Sequence, residues 1–276
     1  MRLASAGRLR RLAVGCLAIA VVLLATALAI TVNVAWYGLA TLSEGRSAYD
    51  LWQLVNAQVN RTNPPIVDKD LYWPDARLLE KHWADIADEW RRISAHYGTS
   101  VPRFDDVDPV QSFAQGTWRI LLLQFLYTDV PGNAKLCPRT MQLLHRCRGV
   151  RNAFFSVLEP GTTLPPHYGP SSAVLRYHLG VSVPEPEQCT LTVENEVVHW
   201  REGEGFVWDD RYLHSATNQG TKPRVVLFLD VDRPDMPWST YLLDWMVTRL
   251  IQSKPYFQYI LTSSHTPLKE LPELNL

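Results

Sequence analysis

Between Ser156 and Asp230 the chain alternates short apolar, β-branched segments with turn-forming ones, and the apolar segments carry a few isolated His, Arg and Ser residues. Candidate strands fall at 152–158, 173–182, 189–194, 197–200, 205–208 and 223–231, set apart by Pro-Gly, Pro-Glu-Pro and Glu-Gly turns. Short strands at this spacing build a sandwich or barrel of the jelly-roll kind. A small barrel fills its interior with side chains or holds one small ligand in its mouth. Polar residues on those strands are therefore the first place to look for chemistry. The expected fold is mainly β, a jelly roll with flanking helices.

Of the 276 residues, 46% are hydrophobic and 20% charged, which excludes a disordered chain. The formal net charge of -1 argues against a nucleic-acid footprint. The ten Trp are many for this length and suit either a core or a membrane interface. Of the four cysteines, Cys16 lies in the apolar N-terminal run and no CxxC occurs, so a structural zinc site is not expected. Cys137 and Cys147 flank a short segment and could pair in an oxidising compartment.

Arg2, Arg8, Arg10 and Arg11 precede a run from Leu12 to Leu42 that holds no charged residue. Its Leu/Ala/Val/Ile core exceeds the roughly 20 residues that span a bilayer, and Trp36 and Tyr37 suit the interface. Ala27-Leu28-Ala29 would serve as a signal-peptidase site. The run continues well past it, which favours an uncleaved signal-anchor. The Arg cluster puts the N-terminus in the cytoplasm and the remainder in a lumen or periplasm.

The expected division is a cytoplasmic segment 1–11, a transmembrane helix 12–34, a neck 35–67 and a domain 68–276. The barrel core of that domain lies at about 118–234 and its C-terminal helix at 239–263. In the neck, Leu51, Leu54 and Val55 share one side of a helix, Asn60-Arg61-Thr62 forms a glycosylation sequon, and Asn63-Pro64-Pro65 breaks the helix. Leu79, Trp83, Ile86, Trp90 and Ile93 mark an amphipathic helix that ends at Gly98. Trp118 to Tyr127 fits a helix or a strand equally well. Leu242, Trp245, Met246 and Leu250 align on a late helix, and Asp244 argues against that helix lying on a membrane.

His167 follows Pro165-Pro166 at a rigid turn, and His214 lies 47 positions later. Two imidazoles on adjacent strands can bind one divalent metal. Arg224 opens the apolar strand 225–229, and a guanidinium at a barrel mouth is costly unless an anion pairs with it. The Ser156 hydroxyl would assist in holding such an anion. Arg176 and His178 alternate with Leu175 and Tyr177, so both point to one face.

Ser156-x-x-x-Pro160-Gly161-Thr162, His167-x-Gly169-Pro170, Arg176-x-His178-Leu179-Gly180, Asp209-Asp210-x-x-x-His214 and Arg224 occur in this order. The set resembles the aspartyl/asparaginyl β-hydroxylase family of iron(II)- and 2-oxoglutarate-dependent oxygenases, in its short, membrane-anchored form. The resemblance covers roughly Trp118 to Pro234, and Pro138-Arg139-Thr140 fits the family's upstream region. It implies a double-stranded β-helix with Fe(2+) held by His167 and His214, the catalytic centre. It further implies 2-oxoglutarate bound by Arg224, Ser156 and His178, O2 as the oxidant, and Arg176 facing the substrate.

Gly169 stands where the wider superfamily places a metal carboxylate, an absence that the β-hydroxylase branch shares. That leaves two protein ligands, with Asp209 and Asp210 as candidates either to accept from an imidazole N–H or to cap a turn. Val174 stands where members acting on protein Asp/Asn carry a second Arg. The expected reaction is hydroxylation of a peptide or protein side chain coupled to decarboxylation of 2-oxoglutarate. Two alternatives are the same chemistry on a lipid acyl chain and an inactive barrel that serves as a scaffold.

Overall fold

The computed structural model describes residues 14, 18, 19, 21–26, 32, 36, 47–59, 63–109 and 113–264. The chain divides into two compact units, Met1–Ser47 and Ala48–Leu276. Among the described residues no helix is long and apolar enough to cross a membrane. The span expected at 12–34 lies largely outside those residues, and so does the sequon at 60–62. In the first unit, residues 21–26 are helical and the side chains of Val21, Val22, Leu23 and Leu24 are exposed.

The second unit begins at Ala48, twenty residues ahead of the expected domain start. Helix α1 (Ala48–Asn56) buries Leu51 and Val55, and a short strand β1 (Ile66–Val67) joins the main sheet. The part of the expected neck from Ala48 onward therefore belongs to the second unit. Four helices follow: α2 (Lys69–Tyr72), α3 (Ala76–Lys81), α4 (Trp83–Tyr97) and α5 (Phe104–Val107). Helix α4 stops at Gly98, which takes φ +47°, a conformation that favours glycine.

The ambiguous apolar run resolves as strand β2 (Trp118–Phe125), with β3 (Thr128–Asp129) behind it. Helices α6 (Pro131–Ala134) and α7 (Pro138–Leu144) come next. Buried Glu89 of α4 accepts from the Arg139 and Thr140 backbone N–H groups at 2.7 and 2.8 Å. This satisfies donors at the α7 N-terminus that the helix itself leaves unpaired. Pro138-Arg139-Thr140 thus has a structural role. Cys137 and Cys147 are both free thiols.

The strands then run β4 (Val150–Leu158), β5 (Thr162–His167), β6 (Val174–Ser182), β7 (Cys189–Val193), β8 (Glu196–His199), β9 (Gly205–Trp208), β10 (His214–Asn218) and β11 (Arg224–Asp232). One sheet has the order β1-β9-β6-β11-β4-β2-β3, the other β5-β10-β7-β8, and every ladder is antiparallel. This is the jelly roll expected from the strand pattern. Past it, α8 (Trp238–Gln252) and α9 (Pro255–Ser263) replace the single late helix, because Pro255 cannot continue α8.

Two cores flank the large sheet, and strand alternation assigns residues between them. Phe155, Val157, Leu175, Tyr177, Leu227 and Leu229 face the helices, against Trp73, Ile86 and Trp90. Phe154, Leu158, Val226 and Phe228 face the second sheet, against Leu191, Trp200 and Trp208. Even-numbered positions of β4, β6 and β11 therefore point into the barrel. Ser156, Arg176, His178 and Arg224 all fall on that parity.

Candidate active site

β5 and β10 pair so that His214 lies opposite His167, with ring centroids 4.1 Å apart. Each ring is anchored through Nδ1, His167 on the Pro165 carbonyl and His214 on the Tyr212 carbonyl, both at 2.8 Å. A carbonyl only accepts, so each Nδ1 carries the proton and each Nε2 presents a lone pair. Nε2 of His214 is buried and has no partner among the described residues. Burial holds His167 down to about 4 and His214 down to about 2, so both are neutral at physiological pH. Two neutral imidazoles, tautomer-locked with free Nε2 atoms, fit a divalent metal's donor requirement. No cluster of three or more His, Cys, Asp or Glu donors exists among the described residues.

The two acids near His214 do not accept from either imidazole; Asp209 takes the other expected role and caps its turn, Oδ1 accepting from Arg211 N–H at 3.1 Å. Asp209 is taken by Arg211 and Arg233, at 2.6 and 2.8 Å. Asp210 is fully buried and meets Arg176 Nη2 at 3.1 Å, though neither of its oxygens accepts a well-aligned hydrogen bond. Desolvation pushes its carboxyl up to about 7, opposed by Arg176. A Cβ on Gly169 would lie 1.7 Å from Asp210 Oδ2. Asp210 thus fills the space beside the His167 loop that a side chain at 169 would need.

Arg176 also pairs with Asp230 at 3.2 Å, its register partner on β11, and lies over the rings of Trp208 and Phe228. Its charge is matched by two carboxylates.

Deeper in the barrel, two buried polar atoms, Arg224 Nε and His178 Nε2, have no partner among the described residues. Arg224 is 2% exposed, forms no ion pair among the described residues, and has no partner for Nε. Its Nη1 reaches only the Ser156 carbonyl, at 3.4 Å, while its guanidinium lies over Trp200 with Cζ 4.3 Å from the ring centroid. Burial lowers its pKa to about 10. Nε2 of buried His178 is also unpartnered, and Ser156 is buried on the neighbouring strand. An unpaired buried guanidinium beside two further donors fits a small carboxylate ligand.

The loops that carry the two imidazoles are tied down by Asn56, Asn63 and Pro65. Asn56 donates to the Pro170 carbonyl and accepts from Ser172 N–H, at 3.0 and 2.6 Å. Tyr212 donates to the Asn63 carbonyl, and Asp209 N–H to the Pro65 carbonyl, at 2.5 and 2.9 Å. Sequence reasoning missed Trp118 and Trp200. Their only signal was the unusual number of Trp residues.

These buried imidazoles set an acid limit on the metal-free protein. His167, His214 and His178 all have folded pKa values below the ordinary 6.5. As pH falls below 6.5 the unfolded chain takes up protons that the folded chain refuses, so stability falls with pH. Asp210, raised to about 7, works in the opposite direction, but it is one group against three. Near pH 5 the metal-free protein is expected to lose about 2.5 kcal/mol per pH unit. Urea unfolding across pH 4.5–7 measures this slope, and His167→Leu/His214→Leu should flatten it.

A family model for aspartyl/asparaginyl β-hydroxylases matches residues 80–234. The ornithine lipid ester-linked acyl 2-hydroxylase of Rhizobium tropici is 34% identical over 199 residues, covering 71% of this chain and 70% of that protein. The aspartate β-hydroxylase domain-containing protein 2 of Xenopus tropicalis is 35% identical, and that of Homo sapiens 34%, each over 182 residues. Those matches cover 62% of this chain and 48% of each relative, so the chain spans about half the length of these animal proteins. A solved cupin domain from an Enterobacter cloacae regulator is 17% identical, covers 29% of this chain and 79% of that one, and has a TM-score of 0.24, too low to carry an argument. The family model covers more than half of the sequence, and this chain belongs to the aspartyl/asparaginyl β-hydroxylase family of hydroxylating enzymes.

Proposed function

We propose that this chain is a membrane-anchored hydroxylase that uses iron(II) and 2-oxoglutarate to hydroxylate a lipid acyl chain. The observation that carries the reading is the pairing of two Nδ1-anchored imidazoles with a buried guanidinium that has no acid. His167 and His214 would hold the metal through Nε2. Arg224, Ser156 and His178 would hold 2-oxoglutarate. When bound, the metal and cosubstrate supply the oxidising power for C–H hydroxylation, with O2 consumed and succinate and carbon dioxide released. The protein's own residues orient these groups and exclude water with the aromatic walls of the barrel.

Two features favour the lipid over the peptide side chain. Arg176, the expected grip for a substrate carboxylate, is already matched by Asp210 and Asp230. The residues next to the two imidazoles, Tyr168 and Leu213, are exposed and largely apolar. The Rhizobium relative, matched over 70% of its own length, is named for an acyl substrate.

The charge-free run 12–42 would anchor the chain, with the N-terminal Arg cluster in the cytoplasm and the domain in a lumen or periplasm. The exposed apolar side chains at 21–24 suit lipid contact. On α8, Trp238 and Trp245 are exposed two turns apart, while Asp244 turns inward to Arg151 at 2.6 Å. The acid that argued against a membrane-facing helix is therefore not on its outer face.

Succinate formation from 2-oxoglutarate by the full chain with iron(II) and ascorbate is the test. Wild type is expected to turn over, and His167→Ala/His214→Ala to fall to background. Acyl-linked lipids should stimulate succinate release and Asp/Asn peptides should not. Stimulation by peptides alone would return the substrate to a protein side chain. Absence of both turnover and metal-dependent 2-oxoglutarate binding would leave a scaffold.

A further inference from the structure

Two indole N–H groups point at the anion cradle, and each is spent on a neighbouring side chain. Trp200 Nε1 donates to His178 Nδ1 at 3.2 Å, and Trp118 Nε1 donates to Ser156 Oγ at 3.0 Å. An indole N–H can donate but never accept. The lone pair of His178 therefore lies on Nδ1. Burial keeps that ring neutral, so its single proton sits on Nε2, the atom left without a partner. At Ser156 the hydroxyl oxygen receives the indole proton, and its own hydrogen is left to turn toward a further acceptor.

The surroundings offer no competing control. Phe206, Trp208 and Phe228 enclose the His178 ring at centroid distances of 5.6, 5.5 and 4.7 Å. None of them presents a hydrogen-bonding atom to it, so Trp200 is its one polar partner among the described residues. The same indole lies beneath the Arg224 guanidinium. One buried side chain thereby touches two of the three groups in the cradle, by its edge and by its face.

We propose that Trp200 and Trp118 are positioning residues that set the polarity of the cradle: they hold His178 as an Nε2–H donor and Ser156 as an O–H donor. With Arg224 the site then presents donors only, and it selects an all-acceptor carboxylate ligand. A His178 tautomer with its proton on Nδ1 would aim a lone pair at that ligand and repel it. The inference rests on reading the cradle as a carboxylate site.

The test uses the full chain in detergent micelles, labelled with ¹⁵N-histidine, with the His178 signals assigned by their loss in His178→Phe. Metal-free wild type is expected to show His178 protonated on Nε2. Trp200→Phe keeps the ring and removes the N–H. It should mix the tautomers and weaken 2-oxoglutarate binding, measured by calorimetry with Mn(II), by about ten- to a hundredfold. Trp118→Phe should weaken binding by a smaller factor and leave the His178 signals unmoved. A wild-type His178 protonated on Nδ1 would overturn the proposal. So would weaker binding in Trp200→Phe with an unmoved tautomer, since that is a packing effect alone. The wild-type tautomer is read without ligand and without any variant. If wild type binds no 2-oxoglutarate, the functional reading fails on its own, and the tautomer still decides this inference.

Discussion

Arg224→Met is expected to melt several degrees above wild type in the absence of ligand and to lose 2-oxoglutarate binding. The side chain is fully enclosed, matched by no acid among the described residues, and left with an unpartnered Nε. An uncompensated buried ion costs several kcal/mol even after relaxation, and apolar replacement of buried ions has stabilised other proteins by about 1–4 kcal/mol. Met is long and flexible enough to fill the volume over Trp200. The ligand side has the opposite sign. Removing the one cation in the cradle costs a desolvated carboxylate its charge-assisted partner, about 3–5 kcal/mol, or a factor of more than a hundred. Ligand linkage then exchanges the ranking: saturating 2-oxoglutarate raises wild-type stability and leaves the variant unmoved. Calorimetric melts with and without 2-oxoglutarate, in the presence of Mn(II), read both effects. A variant that melts below wild type in the ligand-free state would mean that the guanidinium is already satisfied, and the cradle would lose its argument.

Much of this site could be read from alternation alone. Leu175 and Tyr177 are apolar and Arg176 and His178 polar, so a strand through them must turn the polar pair to one face. The structure puts that face inside the barrel, where register brings His178 opposite Phe228 and Val226 opposite Ser156. β5 was missed as a strand because Pro165 and Pro166 stand in it. Both prolines are tolerated because β5 is the edge of its sheet. β10 carries Ser215, Thr217 and Asn218 and lacks an apolar run, so its pattern did not separate strand from loop. The domain start was placed late because Asn63-Pro64-Pro65 reads as a linker. Its carbonyls, however, accept from Tyr212 and Asp209, which lie about 145 residues further on. The acids that claim Arg176, and the indoles that orient His178 and Ser156, likewise meet their partners from 22 to 54 positions away. Local pattern holds no record of those contacts.

The same separation hides the reason that position 169 is glycine, and a double-mutant cycle exposes it. Gly169→Ala is expected to destabilise the protein by about 3 kcal/mol and to weaken metal binding. The added Cβ would meet Asp210 Oδ2 at 1.7 Å and Cγ at 2.1 Å. Gly169 N–H also donates to the Asp210 carbonyl at 2.8 Å, so neither backbone can withdraw freely. The displacement falls two residues from His167. In an Asp210→Ala background the obstructing carboxylate is gone, and the same Gly169→Ala change should cost less than about 1 kcal/mol. The coupling of about 2 kcal/mol is what distinguishes a direct clash from a general intolerance of the loop. Denaturant unfolding of the four proteins measures it, and additive costs would sink the idea. The physical consequence reaches the loop that carries His167. A carboxylate at 169 and the carboxyl of Asp210, which pairs with Arg176, compete for one volume. Gly169→Asp alone should therefore fail to restore a third protein ligand, whereas Gly169→Asp/Asp210→Gly frees the space that a third ligand needs.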